Sequence, residues 1–367
     1  MIRHKLAQHL VVVALVLASS IALSGARAAD HLDNDDLSRV WSRLDQPVLN
    51  GLVSRTWFWG PDPITGLHEE PYADAPDGTR LVIYFDKTRM EINPKAESGS
   101  IWRITNGLLA TELITGQVQL GDETFVDATS PEISVAGDPD DERGPTYRTL
   151  SSVLDADPLP EGTLITQTLS RSGDVGTDQS YGKYDVTAEH YVSETDHTVA
   201  SVFWDYLRSR GTIYHNGEYL EGPLFENHLY GVGYPLTEAY WTTVRVAGED
   251  QPVLVQAFQR RILTYTPNNP DGWKVEAGNV GRHYRDWRMT LHNLTTEDNS
   301  GPKPGHEDKK SGDVEKGDGS KSDECNQKRV DKSDNGTVKQ SNEAVIEQDG
   351  SGDKKVICNQ TNKSVQR

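Results

Sequence analysis

The sequence predicts a mainly β fold with a few short helices. It is a β-rich α+β body in which two related repeat units pack around short antiparallel sheets, followed by a disordered polar tail. Three observations predict it. The apolar residues of this 367-residue chain come in short bursts set off by Asp-Gly, Asn-Pro, Gly-Pro and Pro-Asn turn pairs, the punctuation of strands. Helical periodicity is confined to two short stretches. A set of Gly, Phe and Pro positions recurs 173 residues further on.

Residues 1–28 read as a signal peptide. Arg3, His4 and Lys5 precede an almost wholly apolar run from Leu10 to Leu23, which ends in the small-x-small cleavage pattern Ala26-Arg27-Ala28. The run is shorter than the roughly 20 residues that span a bilayer. Cleavage after Ala28, a secreted or cell-surface location and no integral membrane segment after cleavage are therefore expected. An oxidising compartment would also permit a disulfide between the two cysteines, Cys325 and Cys358.

The first unit, 29–110, carries a helix over 36–44 that presents Trp41 and a strand over 81–85. An intervening β-rich segment, 111–186, carries strands over 132–136 and 164–169. The second unit, 187–296, has a helix over 198–209 that presents Trp204, with His197 as its cap, and strands over 253–258 and 262–266. The tail, 297–367, has no Phe, Tyr or Trp, and its Gly, Lys, Asp, Glu and Ser content cannot bury enough apolar area to order it.

Charge is placed unevenly. The whole chain is at −19, yet the tail is nearly balanced with 15 acidic and 13 basic residues, so the body near −20 holds the excess. Such a surface repels nucleic acid and anionic lipid headgroups, so no nucleic-acid partner is expected.

The two units share one order of residues. Gly60, Phe85 and Pro94 recur as Gly233, Phe258 and Pro267, and Trp102 recurs as Trp273 after a loop shorter by two. In the second copy, Val232-Gly-Tyr-Pro-Leu-Thr-Glu238, Gln256-Ala-Phe258, Leu263-Thr-Tyr-Thr-Pro267 and Trp273-Lys-Val-Glu-Ala-Gly278 together resemble the LGFP repeat of bacterial cell-envelope proteins. The first copy departs from it with Trp59-Gly-Pro-Asp-Pro63, one residue longer in the turn. The resemblance implies a non-catalytic module associated with the envelope or wall. In the tail, Asn342-x-Ala344-x3-Gln348 and Cys358-Asn-Gln-Thr-Asn362 look like a degenerate curlin-type repeat, which implies a small β-arch over 338–366 and self-association through Asn and Gln ladders.

Chemistry is sparsely signalled. There is no HExxH, GxSxG or P-loop pattern, and Ser180-Tyr-Gly-Lys183 lies among glycines where a turn is expected. Both cysteines lie in the tail, away from any base that could activate a thiol. Glu189-His190 and Glu194-x-Asp196-His197 are the densest His and carboxylate cluster, yet do not supply three named ligands. Asp138, Asp140 and Glu142 put hard oxygens at alternate positions, which suits Ca²⁺, although Arg143 stands where the usual loop needs Gly. No cofactor is expected beyond calcium there.

Trp57 and Trp241 are the candidate ligand-binding rings. Trp241 shares a strand face with Thr243 and Arg245, whereas Tyr240 shares the other with Val244 and Val246, so Trp241 is expected to be exposed. The function expected is an exported, non-enzymatic envelope or extracellular protein that binds wall or matrix polysaccharide through its repeat units. Two alternatives are a wall-glycan hydrolase with paired carboxylates drawn from Glu69, Glu70, Asp138 and Glu238, and a self-assembling extracellular fibre subunit.

Overall fold

A computed structural model describes Leu32, residues 34–297 and the segments 339–348 and 354–363. The expected signal peptide, 1–28, lies outside the described residues, as do Cys325 and the linker part of the tail. Contacts divide the chain into a unit up to Asn293 and a second from Leu294 onward.

Helix α1, Asp35–Leu49, starts where Asn34 Oδ1 accepts the Leu37 N–H at 3.1 Å, with Asp35 and Asp36 favoured at the positive end of the helix. Its buried stripe is Leu37, Val40, Trp41 and Leu44, and Trp41 donates its indole N–H to Gly60 O at 2.9 Å. The helix runs five residues past the predicted end and stops just after Pro47.

Strands β1 (His68–Pro71), β2 (Thr79–Phe85), β3 (Thr88–Ile92) and β4 (Ile104–Asn106) form an antiparallel sheet in sequence order. A short helix α2, Leu109–Thr115, follows, then the hairpin β5 (Gln117–Gln119) and β6 (Phe125–Asp127), and helix α3, Tyr147–Ser151. Predicted strand 132–136 is reduced to one bridge, Ser134 to Thr146, between Pro131 and Gly137. Strands β7 (Gln167–Leu169), β8 (Val175–Thr177), β9 (Ala188–Val192) and β10 (His197–Ala200) lead to helix α4, Ser201–Leu207. The first residues of the predicted second helix are thus strand, because β-branched Thr198 and Val199 pair with Tyr191 and His190. Phe203, not Trp204, is its fully buried ring, while Trp204 is half-buried and stacked on His190 at 3.8 Å.

Hairpin β11 (Arg210–His215) with β12 (Glu218–Pro223) precedes β13 (Tyr240–Val246), β14 (Glu249–Ala257), β15 (Ile262–Tyr265) and β16 (Val275–Ala277). The last four are antiparallel in sequence order, and β13 adds β7 and β8 at its free edge. Helix α5, Val280–Glu297, closes the body.

The two segments follow one path. Pro63 bridges to Phe85 and Pro235 to Phe258. Ile64 N–H donates to Tyr84 O and Leu236 N–H to Ala257 O, both at 2.8 Å. Thr65 and Thr237 hydroxyls accept from Tyr84 N–H and Ala257 N–H at 3.1 and 3.2 Å. Gly60 and Gly233 both turn at positive φ, 125° and 77°, where a side chain would be strained.

The two segments also exchange hydrogen bonds. Thr111 N–H at the start of α2 donates to Gln259 O, and Arg282 N–H at the start of α5 donates to Asp86 O, each at 3.0 Å. Tyr230 Oη donates to Ile104 O, and Thr56 Oγ1 to Val275 O. These bonds tie residues 56–111 to residues 230–282. Two apolar clusters result. In β2, Ile83 and Phe85 enter one and Val82 and Tyr84 the other, so both faces of the sheet are covered.

Described by itself, the carboxyl unit contains an antiparallel hairpin, β17 (Lys339–Gln348) with β18 (Lys354–Lys363). Its strands hydrogen-bond to each other, which makes it a hairpin rather than the expected β-arch.

Candidate functional site

The strand parity predicted for Trp241 holds, but its exposure does not. Trp241 is fully buried: its ring is stacked on Tyr181 at 4.8 Å and on Tyr184 at 5.1 Å, and its indole N–H donates to Ile165 O at 2.9 Å. A short 3₁₀ turn, Gln179–Tyr184, supplies those two tyrosines and covers the face that the strand pattern left open. Trp241 is therefore a core residue. Trp57 is half-buried and packs against the same cluster.

The acidic loop is neutralised from within. Asp138 accepts from Ala247 N–H at 2.8 Å and Gly248 N–H at 2.9 Å and faces Arg245 at 3.4 Å, while Asp140 also pairs with Arg245. Asp141 grips Arg143, and that contact holds its carboxyl well below the usual range. Arg143 in turn reaches Asp250 at 2.7 Å. Glu142 is exposed. Lone pairs spent on guanidinium and backbone N–H groups are not offered to calcium, so the expected site at Asp138, Asp140 and Glu142 is corrected to an arginine-bound turn. Among the described residues no group of three or more His, Cys, Asp or Glu is placed to hold a metal. His197 is buried between Glu238 Oε1 at 3.2 Å and Leu154 O at 3.1 Å, not at a helix cap.

The proposed acid pairs are also separately employed. Glu238 receives Thr198 N–H at 2.8 Å and Leu159 N–H at 3.1 Å. Glu70 belongs to a buried cluster in which Arg89 bonds Glu91 at 2.7 Å and Glu70 at 3.1 Å and lies 3.7 Å from Glu112. Glu69 is exposed.

A cleft of about 350 Å³ lies where β14 to β16, the 133–139 loop and α5 meet Lys87, between β2 and β3. Lys87 Nζ donates to Ala277 O at 2.7 Å and Asn279 Oδ1 at 3.1 Å, and burial lowers its pKa against the attraction of Glu276. Burial raises Glu276. His283, whose Nδ1 lies 3.0 Å from the Tyr147 hydroxyl, is pushed down to about 4 by burial, with Lys87 and Arg282 adding to the effect and Asp286 opposing it.

The aromatic residues open to solvent are others than those expected. Trp102 is 49% and Trp273 37% exposed, and the two occupy equivalent places, just ahead of β4 and β16. Trp102 meets Tyr230 edge to face at 5.9 Å, and Trp273 donates its indole N–H to Ser54 Oγ at 3.0 Å. Turn residues mark both in the sequence, Gly99-Ser100 before the one and Pro270-Asp271-Gly272 before the other. The repeat spacing identified this pair, but their polar, turn-rich surroundings were the signal of exposure. No protein-family model, curated protein or solved structure matches this chain.

Proposed function

We propose that this is an exported binding protein of the cell envelope or extracellular space, holding wall or matrix polysaccharide through its two repeat units. The observation that carries the reading is the pair Trp102 and Trp273, tryptophan rings 49% and 37% exposed at positions that correspond in the two segments. Flat rings stack on the C–H faces of pyranoses. Two equivalent platforms suit a polymer that repeats, since the second contact is made at high effective concentration. The likeness of the second copy to LGFP repeats and the leader at 1–28 support the location. Pull-down of the mature chain on purified wall polysaccharide tests it. Retention that weakens about tenfold for Trp102→Ala or Trp273→Ala supports the reading. Absence of retention by the wild type refutes it.

A second reading, self-association through the tail, is favoured by the hairpin register, which sets Asn342 opposite Gln360 and Gln340 opposite Asn362. Deleting 320–367 would abolish filaments if that reading holds, and would leave polysaccharide retention intact.

A further inference from the structure

We infer that the cleft over β14 to β16 binds a free α-amino acid with an aliphatic side chain, at a site separate from the two exposed rings. Glu276 receives the ammonium, Lys87 the carboxylate, and the valines of the cleft the side chain.

Strand register puts the Glu276 carboxylate in the cleft. Val255, Thr264 and Glu276 lie opposite one another across β14, β15 and β16, so their side chains share one face of the sheet. Val253, two residues before Val255, is on the same face. Val253, Thr264 and Glu276 all line the cleft. Among the described residues the Glu276 carboxylate has no hydrogen-bond or ion-pair partner, and the charge that acts on it is that of Lys87.

The first segment shows what this carboxylate lacks. Val82, Glu91 and Thr105 lie opposite one another in the same way. There the Glu91 carboxylate holds Arg80 at 3.2 Å, Arg89 at 2.7 Å and the Thr105 hydroxyl at 3.3 Å. At the 173-residue offset Arg80 becomes Val253 and Arg89 becomes Ile262, so the second segment keeps a carboxylate on this face without either guanidinium. A half-buried carboxylate with no cation is costly, and a ligand ammonium supplies the missing charge-assisted hydrogen bonds.

Lys87 sets the other end of the ligand. Its Nζ donates to Ala277 O at 2.7 Å and to Asn279 Oδ1 at 3.1 Å, so one of the three N–H groups of the ammonium is unspent. Glu276 and Lys87 face one cleft and cancel in charge without pairing. A lone cation or a lone anion meets a like charge there, whereas a zwitterion meets two opposite ones. Ile133, Val135, Val246 and Val253 also line the cleft, and among the described residues no Phe, Tyr or Trp does. Such walls bed an aliphatic side chain and give a sugar ring no platform. At about 350 Å³ the cleft falls within the range of about 300–1,000 Å³ usual for small-molecule sites.

The test is calorimetric titration of the mature chain with L-leucine, 3-methylbutylamine and 4-methylpentanoate, the last two carrying one charge each on the same side chain. Leucine should bind saturably and about tenfold or more tighter than either analogue, the effect of one charge-assisted hydrogen bond. Glu276→Gln should weaken leucine about tenfold and leave 4-methylpentanoate unchanged. Its Tm should not fall, since no other residue holds the carboxylate that is removed. A lower Tm with unchanged leucine binding would make Glu276 structural and overturn the assignment. No leucine binding up to about 10 mM, or binding of glucose in its place, would overturn it as well. The comparison of the three ligands on the wild type needs no variant, and polysaccharide retention is independent of every outcome.

Discussion

Lowering the pH from 7 to 5 is expected to destabilise the body through His283. Burial pushes its pKa down to about 4, whereas in an unfolded chain it titrates near 6.5. Between those values the unfolded chain holds the extra proton and the native state does not. Stability is therefore complete above pH 6.5 and is lost as the pH falls toward 4. At pH 5 the loss from this group is about 1–2 kcal/mol, after discounting for the partial exposure of the ring. For a body of this size that corresponds to roughly 3–6 °C in Tm. Other groups titrate in the same window, so the informative quantity is a difference between two proteins. His283→Asn keeps an acceptor for the Tyr147 hydroxyl and cannot titrate. Thermal melts at pH 7 and pH 5 should show the wild type losing roughly 3–6 °C more than the variant. Equal losses in both would refute the assignment of a buried, neutral imidazole beside Lys87 and Arg282.

Replacing Gln256 by Leu strips the Ala200 N–H of its acceptor and the Thr198 and Thr237 carbonyls of a donor. Chemical denaturation should show a loss of about 2–4 kcal/mol; a change under 1 kcal/mol would mean that water replaces the amide. Gly231→Ala places a Cβ 2.5 Å from the Phe58 ring, and the forced repacking should cost about 1–3 kcal/mol in the same assay. Trp241→Ala should cost about 3–5 kcal/mol and leave polysaccharide retention of the folded fraction unchanged, the reverse of Trp102→Ala. Millimolar calcium should leave Tm where it was, since Arg245 and Arg143 already occupy the loop carboxylates; a rise would restore the calcium reading.

Local pattern was enough to place the strands at 81–85, 253–258 and 262–266, because burial on both faces demands continuous apolar runs there. Matching Gly, Phe and Pro positions pointed to two segments that share a Pro-to-Phe bridge and a threonine hydroxyl on the strand end. What the sequence could not show was which faces would be covered by distant segments. Trp241 is buried by tyrosines about 60 residues earlier, and the Asp138 loop is neutralised by Arg245 more than 100 residues later. Alternation within a strand cannot anticipate either. The 198–200 stretch shows the same limit in reverse: its apolar spacing suits a helix start, but pairing with β9 prevailed. Trp102 and Trp273 were legible as a pair, and the turn residues before each argue for the surface.

The central claim is that two equivalent exposed rings hold polysaccharide. The most direct measurement is retention of the Trp102→Ala, Trp273→Ala double variant on purified wall polysaccharide, alongside its melting temperature. The account predicts a Tm close to that of the wild type and binding reduced by about a hundredfold, the product of two tenfold losses. A folded double variant retained as well as the wild type would contradict it.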